Sequence, residues 1–330
     1  MEQRVLGRTG RMVSVVGLGT WQLGADWGDV SDADARAVLE AALEGGVTFF
    51  DTADVYGDGR SEQTIGAFLK DHEGEDITVA TKMGRRLDQV PENYVLEHFR
   101  EWTDRSRRNL GVDKLDLVQL HCPPTAVYSD DAVYDALDTL VDEGVTAAYG
   151  VSVETVEEAL TAIQRPGVAT VQIILNAFRL KPLERVLPAA SDAGVGIIAR
   201  VPLASGLLSG RYTTETTFAE SDHRSFNRQG ESFDVGETFA GVPFEVGVEA
   251  AGRFVELAKR AAPDLTPAQT AVAWIWQQPG VSSVIPGARS AEQARLNAAA
   301  GSAPTLGALF NADVRELYEE LISEHVHERW

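Results

Sequence analysis

The chain has 330 residues, 44% of them apolar, enough for a sizeable core and far from the composition of a disordered protein. Its 50 acidic residues outnumber the 29 basic ones, and the net charge of −21 repels nucleic-acid phosphates and anionic lipid heads alike. No apolar run can span a bilayer, no signal-peptide pattern opens the chain, and the lone Cys122 excludes an intrachain disulfide framework or a cysteine-cluster metal site. A cytoplasmic protein with no membrane, nucleic-acid or metal partner is expected. Five of the basic residues are lysines and 24 are arginines, a lysine-poor acidic surface that reads as halophilic, with an ordinary acidic protein as the alternative.

In chain order, Arg4 to Leu6 and Met12 to Val15 read as a hairpin around Gly7 to Gly10, and the run near Val13 to Leu18 as a first strand. Val47 to Phe50 then precedes the helical Ser61 to Lys70, Ile77 to Ala80 precedes Glu92 to Leu110, and Leu115 to Leu120 precedes Asp131 to Val141. Thr146 to Val151 leads into Val153 to Ile163, Val168 to Leu175 into Leu183 to Ala193, and Val195 to Val201 into a long loop. Pro267 to Gln277, Val281 to Ile285 and Ala291 to Ala300 complete the series. Ser31 and Thr266-Pro267 sit where helix caps belong, and Gly45-Gly46 closes the first helix. Continuous β-branched runs imply strands buried on both faces, hence a parallel sheet. Eight strand–helix rounds without a linker predict one α/β domain over residues 1–330: a (β/α)8 TIM barrel capped by the N-terminal hairpin, with a long loop after strand seven.

A barrel carries its active site on the loops after its strands. Strand two ends in Asp51, strand three in Lys82 and strand four in His121, with Tyr56 one short loop away. A carboxylate, an ammonium, an imidazole and a phenol on one rim suit proton transfer coupled to carbonyl chemistry. Lys82 is expected to lower the Tyr56 pKa, Asp51 to hold Lys82, and His121 to hydrogen-bond a substrate oxygen. The bland alternative is an Asp51–Lys82 salt bridge with Tyr56 merely packing.

These blocks resemble the aldo-keto reductase family along nearly the whole chain: LGRTGRMVSVVGLGTWQLG, GVTFFDTADVYGDGRSEQTIG, ATKMG, LDLVQLHCP, AAYGVS, PLASGLLSG and VIPGARSAEQARLNAAA. The resemblance implies a catalytic tetrad of Asp51, Tyr56, Lys82 and His121, with Tyr56 as general acid and NADP(H) as hydride carrier. It implies that Ser152, Gln172 and Asn176 hold the nicotinamide amide, that Leu203, Ser205 and Leu208 line the pyrophosphate, and that Gly287, Arg289, Gln293 and Asn297 surround the 2′-phosphate. The implied activity is NADP(H)-dependent reduction of a small-molecule aldehyde or ketone, reversible toward alcohol oxidation. A Schiff-base aldolase or isomerase using Lys82 is the alternative enzyme class, and a cofactor-sensing channel subunit the non-catalytic one.

Two positions depart from the family pattern. Val153 follows Ser152 where many members carry asparagine, and Arg200 stands where many carry an aromatic residue that stacks on the nicotinamide. Arg200 either stacks in its place or pairs with a nearby carboxylate. The GLGTWQLG stretch has Gln22 where a dinucleotide fingerprint needs glycine, so a tight turn is expected there. Arg289, Arg295 and a helix N-terminus in GARSAEQAR form the expected phosphate cluster.

Trp21 and Trp27 form either an apolar substrate wall or a cover for the core. Trp274, Trp276 and Cys122 read as packing, and His325-Val326-His327 as a frayed tail. Ser209 to Gly247, too long for a plain connection, reads as a lid or binding loop in which Phe226, Phe233 and Phe239 could clamp a ligand. The sequence leaves the oligomeric state open.

Overall fold

The computed structural model describes residues 1–24 and 30–330, so Trp27 lies outside the described residues. An antiparallel hairpin comes first, β1 (Gln3–Val5) on β2 (Met12–Ser14), with Arg4 opposite Val13. The barrel strands are β3 (Leu18–Gly19), β4 (Phe49–Asp51), β5 (Thr78–Met83), β6 (Leu117–His121), β7 (Tyr149–Ser152), β8 (Val168–Ile174), β9 (Gly196–Arg200) and β10 (Val281–Val284). They pair in parallel in that order. Gly17 donates its N–H to the Val284 carbonyl at 2.8 Å and Gly19 to that of Pro286 at 3.1 Å, which joins the last strand to the first. The sheet is therefore a closed (β/α)8 barrel.

Every residue of β5 and β8 is buried, as strands covered by helices outside and packed side chains inside require. The helices are α1 (Asp32–Glu44), α2 (Arg60–Asp71), α3 (Leu96–Leu110), α4 (Asp131–Asp142), α5 (Val156–Ile163), α6 (Pro182–Ala193), the short α7 (His223–Phe226), α8 (Phe244–Ala261), α9 (Pro267–Trp276), α10 (Ala291–Ala299), α11 (Gly307–Leu321) and the short α12 (Ser323–Val326). Ser31 caps α1, and Thr155 and Thr266 open α5 and α9 with full capping boxes. Each such cap contributes about 1 kcal/mol.

Inside the barrel, Leu6 and Val13 of the hairpin pack with Phe49, Leu117, Ile198 and Ile285, so the hairpin closes the bottom. Gly7 lets it come this near: its φ is +50°, and a Cβ there would lie 2.1 Å from the Gly196 nitrogen.

The structure corrects the sequence reading at three places. The long segment after β9 ends at Pro243, because α8 begins at Phe244. Within it Phe239 is no clamp: it is 3% exposed and packs on Phe218 and Phe244 at 5.8 and 5.0 Å. The stretch around His325 is not frayed. His327 Nδ1 meets Tyr318 Oη at 3.0 Å, and Trp330 is 7% exposed. Trp274 and Trp276 are buried as expected, with indole N–H groups donating to Asn311 and the Ala300 carbonyl.

Candidate active site

Asp51, Lys82 and His121 occupy the C-terminal ends of β4, β5 and β6, and the parallel register that aligns those strands brings them together. Tyr56 stands in the turn between β4 and α2. That turn needs Gly57, with φ +58°, because a Cβ there would lie 2.0 Å from the Gly24 carbonyl oxygen.

Lys82 Nζ donates to Asp51 Oδ1 at 2.5 Å, to the Thr52 carbonyl at 2.9 Å and to Tyr56 Oη at 3.4 Å. All three ammonium donors are engaged. Burial pushes Lys82 down, but Asp51 and Tyr56 beside it outweigh that and leave it above its ordinary value. Asp51 Oδ2 accepts from Gln172 Nε2 at 2.7 Å and Gln119 Nε2 at 3.4 Å. The Tyr56 phenol departs from expectation. Burial raises its pKa, and the opposing ammonium of Lys82 does not offset this, so the group stays protonated at neutral pH.

Burial, with Arg85, Lys82 and Arg200 near, holds His121 well below its usual value, which makes it a neutral imidazole. Among the described residues its Nδ1 has no hydrogen-bond partner. The Tyr56 and His121 rings meet edge to face at 5.9 Å. Trp21 stacks on Tyr56 at 6.0 Å and touches Phe233 edge-on at 5.6 Å, forming an aromatic wall over the phenol.

A cavity of about 350 Å3 runs from Asp51, Tyr56 and Gln172, past Arg200, Leu203 and Ser205, to Gly287, Arg289 and Gln293. Its middle is a strained loop. Val201, Ala204 and Ser205 all have positive φ, and left-handed backbone is uncommon at a β-branched valine. Asn176 Nδ2 donates to the Val201 carbonyl at 2.9 Å and its Oδ1 accepts from the Phe178 N–H, so Asn176 braces this loop beneath the cavity. Leu208 is fully buried behind it. Ser152 Oγ meets Cys122 Sγ at 3.2 Å, and burial raises that thiol to about 12, in keeping with an inert packing cysteine.

Arg200 resolves to the ion-pair alternative. Its Nη2 reaches Glu154 Oε2 at 2.8 Å and its Nη1 reaches Glu237 Oε1 at 3.4 Å. Arg85 stands 3.8 and 3.7 Å from the same two carboxylates and donates its Nε–H to the His121 carbonyl. The expected pairing of Arg295 with Arg289 is not formed: Arg295 turns to Glu44 on α1 at 3.5 Å. Arg289 and Gln293 stay on the cavity, the Arg289 N–H donating to Gln293 Oε1, while Asn297 Nδ2 holds the Gly287 carbonyl.

The long segment supplies residues that sequence reasoning missed. His223, Arg224 and Glu237 line the cavity, and the Asp222 carboxylate receives two hydrogen bonds from the Arg224 guanidinium and one from its backbone N–H at the cavity's edge. Against the effect of burial, Arg224 and His223 hold the Asp222 carboxyl far below its usual range. Arg289 Nη2 lies 3.8 Å from the same carboxylate. No spacing rule marks these residues, since they reach the cavity only by folding back over the barrel. Arg85 was missed too, although its place three residues after Lys82, just past the end of β5, could have marked it.

The model of the Aldo/keto reductase family matches residues 15–319. The chain belongs to that family. Aldo-keto reductase YhdN of Bacillus subtilis is 30% identical to this aldo/keto reductase over 99% of the chain and 96% of its own length. The solved holo form of aldo-keto reductase AKR11C1 from Bacillus halodurans shares 26% identity with a TM-score of 0.76, covering 96% of both chains. An aldo-keto reductase from Klebsiella pneumoniae in complex with NADPH superposes with a TM-score of 0.71 at 24% identity, over 96% of each chain.

Proposed function

We propose that this aldo/keto reductase reduces aldehydes or ketones to alcohols with NADP(H), reversibly, and that Tyr56 is its proton donor. The observation that carries the reading is the Asp51–Lys82–Tyr56 line, hydrogen-bonded in sequence at the inner end of the cavity. The residues fit the cofactor: the cavity joins Asp51 and Tyr56 to Arg289, Arg224 and Gln293 through a strained loop of left-handed backbone. The Klebsiella relative's NADPH supports the same choice.

When bound, the reduced nicotinamide supplies a hydride to the carbonyl carbon. Tyr56 gives its phenolic proton to the carbonyl oxygen, and Lys82 stabilises the phenolate that remains. Asp51 keeps Lys82 charged and aimed. His121, neutral, orients the substrate oxygen by a hydrogen bond, and the Trp21–Phe233 wall limits water at the phenol. Ser205, Leu203, Arg224 and Arg289 hold the phosphates, Gly287 and Gln293 the adenosine end, and Gln172 the amide side. Ser152, Asn176, Leu208 and Asn297 act from behind, as braces for those groups.

The Schiff-base alternative requires Lys82 as a free amine, whereas its three donors are engaged and its pKa is raised. A panel of aldehydes, ketones and alcohols run with NADPH, NADH and their oxidised forms tests the proposal. NADPH-dependent carbonyl reduction is the expected result, and turnover by imine formation on Lys82, trapped with borohydride, the contrary one.

A further inference from the structure

The charges of Arg85, Glu154, Arg200 and Glu237 have no part in the chemistry above. Separate stretches of chain bring them together. Arg85 follows β5, Glu154 lies between β7 and α5, Arg200 ends β9, and Glu237 comes from the segment that folds back over the barrel. Arg200 is 7% exposed and bridges both carboxylates, Glu154 at 2.8 Å and Glu237 at 3.4 Å. Arg85 stands 3.8 and 3.7 Å from the same pair. Taking such charges out of water is costly, and their mutual attraction seldom repays the loss, so stability does not account for the quartet.

Arg200 and Glu237 line the cavity together with Asp51, Tyr56 and Gln172. A hydride must reach a carbon whose oxygen meets Tyr56, which puts the nicotinamide in this part of the cavity. The quartet's field is felt there. After burial and Lys82, Asp51 and Glu237 act on the Tyr56 phenol, and Arg85 and Arg200 are among the charges that, with burial, hold His121 down. The nicotinamide ring is neutral when reduced and cationic when oxidised, so a net charge beside it favours one form over the other. Against the effect of burial, Arg200 and Arg85 hold Glu237 below its usual value, while burial raises Glu154 to about 7, opposed by Arg200. Above that pH both carboxyls are ionised and balance the two guanidiniums.

We propose, resting on NADP(H) as the cofactor, that this quartet sets the relative affinity of the site for the oxidised and the reduced nucleotide. Glu237 supplies the negative charge that the oxidised ring needs in front of two guanidiniums. It also ties this balance to the segment over the barrel, where the Glu237 carbonyl accepts from Ser205 Oγ at 3.2 Å. The phosphates and the adenosine are common to both forms, so their contacts cancel in the ratio of the two dissociation constants.

Quenching of tryptophan fluorescence in the whole protein by NADP+ and by NADPH, at about pH 8.5 where both carboxyls are ionised, reads that ratio without turnover. Glu237→Gln leaves a net positive charge, and Kd for NADP+ over Kd for NADPH should rise about fivefold or more. Arg200→Gln/Glu237→Gln removes one charge of each sign and should return the ratio to within about twofold of the parent's. A merely structural role predicts further damage instead of recovery. Glu154→Gln leaves the same net charge as Glu237→Gln and should move the ratio the same way, which keeps the test open should the double variant not fold. A ratio that both single variants leave unchanged, or that a folded double variant fails to restore, overturns the proposal. A parent protein that binds neither nucleotide refutes the cofactor reading itself.

Discussion

Lys82 Nζ lies 2.5 Å from Asp51 Oδ1 but 3.4 Å from Tyr56 Oη, so the ammonium is anchored by the carboxylate and presented to the phenol. Asp51 is 2% exposed, and removing its partner strands a charge inside the barrel. Lys82→Met should therefore lose turnover and also destabilise the fold by about 3–5 kcal/mol. The double variant Lys82→Met/Asp51→Asn should regain most of the melting temperature and none of the activity. A single variant that melts like the parent protein would remove the anchoring role of Asp51.

The Tyr56 phenol, raised by burial, sets the pH dependence. Its protonated form donates in reduction and its phenolate accepts in oxidation. Carbonyl reduction should hold through neutral pH and decline only as the pH passes the raised phenol pKa, whereas alcohol oxidation should climb over that alkaline range. Initial rates in both directions across pH check this. Oxidation that peaks at neutral pH would assign the proton to another group.

Asp54 is fully buried, and neither of its oxygens has a hydrogen-bond partner among the described residues. Burial and the nearby Glu62 raise its carboxyl to about 7, against the pull of Arg86 and Arg105. A carboxyl whose folded pKa lies above its unfolded one contributes stability at low pH that is lost as pH rises through the folded value. From about pH 4 to about 7 the shift corresponds to as much as ~4 kcal/mol. Asp54→Asn should flatten this slope and melt higher than the parent in mildly alkaline buffer. Parallel stability–pH curves for the two proteins would refute the assignment.

Arg289 and Gln293 share the far end of the cavity with Gly287. If Arg289 meets the 2′-phosphate, its charge-assisted hydrogen bonds contribute on the order of 1.5–3 kcal/mol. Arg289→Ala should then weaken NADPH by roughly ten- to a hundredfold and leave NADH nearly unchanged. Fluorescence titration with both cofactors gives the answer, and equal losses would place Arg289 elsewhere on the nucleotide.

The barrel and the gathering of Asp51, Tyr56, Lys82 and His121 at one rim were legible because each rests on local signals: β-branched runs, caps, and a polar residue at the end of a strand. The Asp51–Lys82–Tyr56 geometry needed only the parallel register to follow. Arg200 was half legible, since sequence could name both an aromatic-like stack and an ion pair, and Glu154, 46 residues before it, with Glu237, 37 residues on, decided between them. Arg224 and His223 were not legible, because they reach the cavity through the tertiary path of a segment without periodicity. Arg295 misled for the opposite reason: proximity to Arg289 in sequence gave no information about Glu44, which sits on α1. The Tyr56 pKa direction also escaped sequence, because burial, the larger effect, is a property of the folded site.

The central claim is that Tyr56 supplies the proton for carbonyl reduction. The most direct measurement follows oxidation of NADPH by the best aldehyde of the panel, comparing the parent protein with Tyr56→Phe and titrating cofactor binding to both. General acid catalysis of this kind contributes about 10²–10⁴-fold, so kcat should fall by that factor while NADPH affinity stays within about twofold, well below the 1.4 kcal/mol of a tenfold change. A Tyr56→Phe protein that turns over at the parent's rate would contradict the account.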